Sequence, residues 1–324
     1  MKNKFYSLLV LFISTILFYG CTTTSKLAPS IIQEDSENNM YWHITSPTGT
    51  TIHILGTIHV GDDEIANIPQ NILTNFRTSD ARFGELSFED ITNLQTTLSQ
   101  LLLTSIITNE NEVPIFISQL LTENEVDFLK TVVQNIFGDL YTDEFFTSLL
   151  IMPPWYFNTL LVSYDSNISG YQAKKGLDSI LMSVASKEGL SIKGMDTLQC
   201  QLDILTFGSL EDQIILLKDY IKTIQNGTSV KQTQELINAY KTNDKSSIIN
   251  ILKSENEIAG LSKNYENEYM TKMINERNRN WANQISTLLQ EQNKNFFIFA
   301  GSAHWLYTPS VFDMLVDDGI AIWK

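Results

Sequence analysis

Two segments near opposite ends of the chain finish in the same way. The apolar run at 51–55 leads into Gly56-Thr57-Ile58-His59, and the run at 296–300 leads into Gly301-Ser302-Ala303-His304. Each reads as a strand that stops at a glycine and sets a histidine three residues later. Glycine lets the backbone turn sharply and come close to a ligand, and open α/β sheets bind ligands just beyond the carboxyl ends of their strands. For both histidines to serve one site, their strands must be sheet neighbours although most of the chain lies between them. That requirement sets the expected class: α/β, with a central β-sheet whose strands come from both ends of the chain and a large helical insertion between them.

The rest of the body, residues 40–324, fills in that scheme as one α/β domain. Residues 41–45 and 51–55 are rich in β-formers around Ser46-Pro47-Thr48-Gly49, which predicts a hairpin. Apolar spacing predicts a helix over 65–76 with Pro69 near its start, and 82–87 reads as a strand. From 91 to 150 the pattern is helical with a break at Glu112-Val113-Pro114; Pro153-Pro154 breaks it again, and 167–170 is a loop. A helix over 177–187 and a short strand at 191–194 come next. Past Cys200 the pattern is helical for about ninety residues. A helix over 309–316 and a strand over 320–323 then close a strand-helix-strand unit after the 296–300 strand.

The amino terminus is of another kind. Lys2 and Lys4 precede an apolar run at 8–18, and Gly20 stands before Cys21. Residues 1–20 read as a signal peptide; the apolar run is too short for the roughly 30 Å of a bilayer core. The end of the segment resembles a bacterial lipoprotein signal, with Cys21 lipidated and residues 21–39 a polar tether; plain secretion with Cys21 unmodified is the other reading. Either way the expectation is an exported body, as a lipoprotein on the periplasmic or outer membrane surface of a bacterial cell. With 37 acidic against 22 basic residues, a net charge of −15, the chain would be repelled by phosphate backbones, so no nucleic acid partner is expected. Two cysteines give no disulfide framework, and Cys200, between Leu198 and Leu202, reads as a structural thiol.

The chain has four histidines. His59 and His304 sit in the matched turns; His43 and His53 lie inside strands and read as structural. The strand Arg82-Phe83-Gly84-Glu85-Leu86-Ser87 places Glu85 near the same sheet edge. Two imidazoles and a carboxylate can hold a divalent ion with positions left for water and substrate. The same groups can equally act without metal as base, orienter and acid.

Gly56-Thr57-Ile58-His59-Val60-Gly61, then Pro69, Glu85, and Gly301-Ser302-Ala303-His304 near the end, resemble the TraB/PrgY/GumN and Tiki family. Gly176-Leu177-Asp178, Gln201-Leu202, and Glu276-Arg277-Asn278 with Trp281-Ala282 resemble family segments in the same order, over residues 41–324. Two positions depart from the pattern: Asp196 stands where many members have glutamate, and Trp281 where methionine is common. For the Tiki members the resemblance implies a metal-dependent peptidase. It carries His59, Glu85 and His304 over as metal or catalytic residues, and Arg277 and Asn278 as polar groups facing the cleft that hold a substrate carboxylate or an oxyanion.

The resulting expectation is a lipid-anchored, metal-dependent hydrolase, a peptidase acting on extracytoplasmic peptides or proteins. Its ion would be manganese, cobalt or zinc. The absence of an H-E-x-x-H helix sets it apart from ordinary zincins. Two alternatives stay open: a metal-independent, histidine-based esterase, and a non-catalytic lipoprotein that sequesters peptides, since TraB and PrgY members are tied to shutting down peptide pheromone signals.

Overall fold

A computed structural model describes residues 28–254 and 258–324, except 109, 111 and 113. The signal segment and Cys21 lie outside the described residues. In chain order the elements are β1 (Ser30–Glu34), β2 (Tyr41–Thr45), β3 (Thr51–Thr57), α1 (Gln70–Thr78), β4 (Ala81–Gly84), α2 (Phe88–Thr104), α3 (Glu123–Phe137), α4 (Asp143–Leu149), α5 (Pro154–Ile168), α6 (Leu177–Glu188) and β5 (Lys193–Gly194). Helices α7 (Leu198–Leu205), α8 (Leu210–Gln225), α9 (Thr228–Lys241), α10 (Lys245–Ser254) and α11 (Lys263–Met270) come next. A π-helical turn, Thr271–Asn275, leads into α12 (Glu276–Leu288); β6 (Asn295–Gly301), α13 (Ala303–Leu306), α14 (Val311–Asp317) and β7 (Ala321–Trp323) end the chain.

The strands form one seven-stranded sheet in the order β5-β4-β6-β3-β2-β1-β7. Only β2 runs against the rest. The β2–β3 hairpin closes with Thr45 opposite Thr51, and Gly49 in its turn takes a φ of 84°, where glycine is favoured. As its unbroken apolar run predicts, β6 is central and covered on both faces, between β3 and β4. On one face Phe76 of α1 meets Phe297 with ring centroids 5.3 Å apart. On the other, Trp42 packs on Phe312 of α14, also at 5.3 Å.

The structure departs from the sequence reading in four places. Residues 30–34, read as tether, are strand β1, paired with β2 and β7. Its signal is faint: Ile32 is buried, whereas Ile31 faces solvent and the rest of the strand is polar. The first helix begins at 70 and not 65, with Pro69 at its N-cap, although Ile65 and Ile68 are buried beneath it. Strand β4 ends at Gly84, which puts Glu85 in the loop beyond it. The closing helix and strand do not return beside β6; β7 crosses to the far margin and pairs with β1.

The helical insertion carries its own core. Leu129, Val132 and Val133 of α3, Phe157 and Leu161 of α5, and Leu217 and Ile221 of α8 are buried together, apart from the cluster around the sheet. A buried carboxylate joins α5 to α9: Asp165 accepts from Ser229 Oγ at 2.7 Å and Thr233 Oγ1 at 3.4 Å. Burial pushes its pKa up, against those two hydroxyls. A raised folded pKa means that its contribution to stability is lost as pH rises through that value. Asp165→Asn should therefore stabilise the fold near neutral pH, by about 1 kcal/mol. Thermal melting checks this, and a lower midpoint for the variant would contradict it.

Candidate functional site

The two matched turns do lie on neighbouring parallel strands, but one residue out of step. Gly56 stands opposite Ala300, and Thr57 opposite Gly301. Ser302 locks the turns together, its N–H and Oγ both donating to the Thr57 carbonyl, at 2.9 and 2.6 Å. The offset gives the two histidines different surroundings: the His59 side chain is 71% exposed, and His304 is 3% exposed.

His59 is fixed from behind by the start of α6. A Cβ at Gly176 would lie 2.3 Å from the His59 carbonyl oxygen, so only glycine lets the chain pass there. The Leu177 N–H donates to the Ile58 carbonyl at 3.0 Å. Asp178, one residue on, accepts from Thr57 Oγ1 and from His59 Nδ1, the latter at 2.9 Å. A carboxylate can only accept, so Nδ1 donates to Asp178, and Nε2 is the nitrogen without a partner among the described residues; near neutral pH it carries a proton that a bound ion would displace. The Asp178 charge and hydrogen bond, with Glu85 nearby, hold the imidazole up at about 9.

His304 has a matching arrangement inside the protein. Asn278 of α12 donates through Nδ2 to the Pro309 carbonyl at 2.8 Å, which leaves its Oδ1 to accept from His304 Nδ1 at 2.6 Å. Here too Nε2 is the unanchored nitrogen. Trp281 lies against the imidazole with ring centroids 4.2 Å apart. Burial, with the Arg277 charge, pushes His304 down to about 3.

Glu85 lies close enough to both histidines for its charge to act on each. Burial would raise its pKa, but the charges of Arg277, His59 and His304 and the Gly301 N–H hold it at about 2. Its Oε1 accepts from Gly301 N–H at 2.9 Å, and its Oε2 from Arg277 Nη2 and Gln201 Nε2. The Arg277 guanidinium, 3% exposed, also donates through Nε to Asp196 at 2.8 Å and through Nη1 to the Met273 carbonyl in the π turn at 3.0 Å. Turns of that kind recur at functional sites. Asp196 in turn accepts from Trp281 Nε1 at 2.7 Å. The two positions that depart from the family pattern are therefore bonded to each other.

The three expected residues converge on Gly301. A Cβ placed there would be 3.3 Å from Glu85 Oε1, 3.8 Å from His59 Nε2 and 3.9 Å from His304 Cδ2. The donor chemistry fits a divalent ion, because metal-bound histidines characteristically give their other ring N–H to an oxygen acceptor, as both do here. The placement is wider than bonds of about 2.0–2.2 Å need, and among the described residues no group of three His, Cys, Asp or Glu stands arranged to hold an ion.

Of the other expected residues, Arg277 adjoins the cradle through Glu85, whereas Asn278 is fully buried and faces His304 rather than the opening. Neither lies on a solvated helix face. Asp178, Asp196, Gln201 and Trp281 complete the site. The signal for Asp178 and Gln201 is their place in the segments Gly176-Leu177-Asp178 and Gln201-Leu202 that carry the resemblance.

His43 and His53 stand directly opposite each other in β2 and β3, away from this edge. Burial and the neighbouring His43 push His53 down to about 4, while its Nδ1 shares a hydrogen bond of 2.9 Å with Tyr41. A depressed folded value means stability that is full above the unfolded value near 6.5 and is lost as pH falls through the folded one. The protein should lose about 2 kcal/mol between pH 6.5 and 4 through His53, and more through His304 near pH 3. Urea titrations at stepped pH check this, and a His53→Gln variant running parallel to wild type down to pH 4 would refute the assignment.

Comparison with known proteins gives two matches. Residues 40–323 match the model of the TraB/PrgY/gumN family. An uncharacterized protein of Treponema pallidum (strain Nichols) is 27% identical over 303 residues, covering 91% of this chain and 85% of that protein. No solved structure matches.

Proposed function

The chain belongs to the TraB/PrgY/gumN family, and from that premise we propose that it is an exported, lipid-anchored hydrolase, a metal-dependent peptidase acting on extracytoplasmic peptides or proteins. The observation that supports this reading best is the paired anchoring of the imidazoles, each tied through Nδ1 to an oxygen acceptor while both rings converge with Glu85 on Gly301.

His59 and His304 would hold a manganese, cobalt or zinc ion through Nε2, with Glu85 the adjoining carboxylate. Such an ion makes a water nucleophilic near neutral pH and polarises a carbonyl. The protein's own groups have separable tasks. Asp178 fixes the tautomer and angle of the exposed His59, and Asn278 does the same for the buried His304. Trp281 closes the inner flank of His304 to water. Arg277 fixes Glu85 and places positive charge beside the cradle, where a substrate carboxylate or a developing oxyanion gains from it.

One observation favours a metal-free reading as well: the exposed His59, paired with Asp178, is already an oriented acid–base group. Elemental analysis of the natively purified body beginning at Thr22, beside its His59→Ala variant, tests the proposal together with a peptide-cleavage assay. About one ion per chain, lost in the variant, with cleavage stopped by a chelator, is the expected result. Cleavage that survives the chelator yet fails in His59→Ala would move the reading to histidine-based hydrolysis. A peptide held stoichiometrically and recovered intact would overturn catalysis in favour of sequestration.

A further inference from the structure

The turn that carries His59 is held on two sides by the helical insertion. On one side Gly61 and Gln172 exchange backbone hydrogen bonds at 3.1 and 2.9 Å, and Lys175 Nζ lies 2.7 Å from Asp63 Oδ1. On the other stands the carboxyl end of α9. The β2–β3 ladder stops at Tyr41 opposite Leu55, so Gly56 has no β2 residue across from it. The Tyr240 hydroxyl donates to the Gly56 carbonyl at 2.5 Å, from a side chain that is buried. Lys241, the next residue, puts Nζ 2.6 Å from Asp62 Oδ2 and 2.7 Å from Glu64 Oε2. Asp62 uses its other oxygen to accept the Glu64 and Ile65 N–H groups, which closes the far end of the same turn.

Two consecutive residues of α9 therefore grip the His59 turn, Tyr240 at its entry and Lys241 at its exit. The path from the phenol to the imidazole is short. Gly56 leads directly to Thr57, whose Oγ1 donates to the same Asp178 carboxylate that accepts from His59 Nδ1. His304 draws its partners from α12 instead, through Asn278 and Trp281. The two imidazoles are thus placed by different helices, and only His59 depends on α9. A buried carbonyl stripped of its donor must find another or bear the cost of having none, so loss of the phenol hydroxyl would let the turn shift. Groups that stand behind metal ligands matter in this way, because they fix the ligand's angle and reach.

We propose that Tyr240 and Lys241 are positioning residues for His59: they fix where its imidazole stands relative to Glu85 and His304, and so set how tightly the three hold a divalent ion. The inference rests on the metal reading of the site. It gives α9 a task in the site although neither of its two residues belongs to the segments that resemble the family.

The test uses the full chain as wild type, Tyr240→Phe, Lys241→Met and Ser229→Ala. Tyr240→Phe keeps the ring and removes only the hydroxyl. Ser229→Ala, at the far end of α9, breaks a bond to Asp165 and controls for a general loss of stability. Cobalt(II) is titrated into each protein and read by the visible absorption of the bound ion; amide hydrogen exchange is followed without metal over 57–65 and 302–308. Tyr240→Phe and Lys241→Met should each weaken cobalt binding about tenfold and shift its absorption. Exchange over 57–65 should speed up about tenfold in both, with 302–308 unchanged. Ser229→Ala should alter neither readout. Unchanged exchange over 57–65 in both variants overturns the positioning, and faster exchange with unaltered cobalt binding reduces the two residues to structural support, which overturns it too. A wild type that takes up no cobalt overturns the metal reading and the claim on ion binding with it, while exchange still decides whether the two residues hold the turn.

Discussion

Arg277→Ala should cost about 3–5 kcal/mol of stability, the largest loss expected of any single change at the site. The guanidinium is 3% exposed and is shared among Glu85, Asp196 and the Met273 carbonyl, with its carbon 5.1 Å from the centre of the Trp281 ring. Alanine would leave the buried Asp196 carboxylate and the partly buried Glu85 carboxylate without their counter-charge, together with an unmet carbonyl. Burial already pushes Asp196 up, and Arg277 is the first of the forces opposing that. Adding Asp196→Asn to Arg277→Ala should recover part of the loss, since one of the stranded charges is then gone. Arg277→Lys should fall between, because an ammonium cannot meet three acceptors in the plane of a fork. Urea unfolding of the four proteins decides it; a loss below about 1 kcal/mol in Arg277→Ala would mean that water reaches the carboxylates.

Gly301→Ala is expected to do the reverse, sparing the fold and slowing the chemistry. Its backbone is not in the left-handed region, so alanine brings no dihedral strain. The added methyl would sit 3.3 Å from Glu85 Oε1 and 3.8 Å from His59 Nε2, in the space those groups share. Glu85 must draw back by a few tenths of an ångström, which loosens its bond from the Gly301 N–H. Hydrolysis on the proposed reading should fall about tenfold, less than the hundredfold set by misplacing reacting groups by about 1 Å, while stability moves by less than about 1 kcal/mol. A fully active Gly301→Ala protein would show that the chemistry lies elsewhere.

The parts of the site that the sequence disclosed are those written in local pattern. An apolar run ending in G-x-x-H encodes both a strand and the turn beyond it, and two such runs required β3 and β6 to be neighbours, as they are. Glu85 beside Gly84 was legible for the same reason. The resemblance named Asp178, Asp196 and Asn278, but their partners were not legible, because each acts across long sequence distance: Asp178 on His59, Asp196 on Arg277, Asn278 on His304. A side chain aimed at a partner far along the chain leaves no periodicity. Asp196 and Trp281 show this most clearly. Taken singly, each is an unexplained departure from the family pattern; in space the indole N–H meets the carboxylate.

In the fold, the hairpin and β6 could be read from their own residues, whereas β1 could not. Polar positions at 30, 33 and 34 hid a strand whose one deeply buried apolar side chain is Ile32. The destination of β7 was beyond local reading too, since Ile320 to Trp323 fit a place beside β6 as well as one beside β1.

The position of β6 also orders events in time. It joins β4 to β3, and both it and β7 come from the last thirty residues of the chain. Until those residues arrive, β4 and β5 cannot be joined to the hairpin, and the apolar faces meant for β6 have no partner. Contacts between such distant parts of a sequence form late and slowly. A chain that emerges amino end first would therefore stay open along its middle until its final segment is available, and would close the sheet and assemble the site in one step at the end.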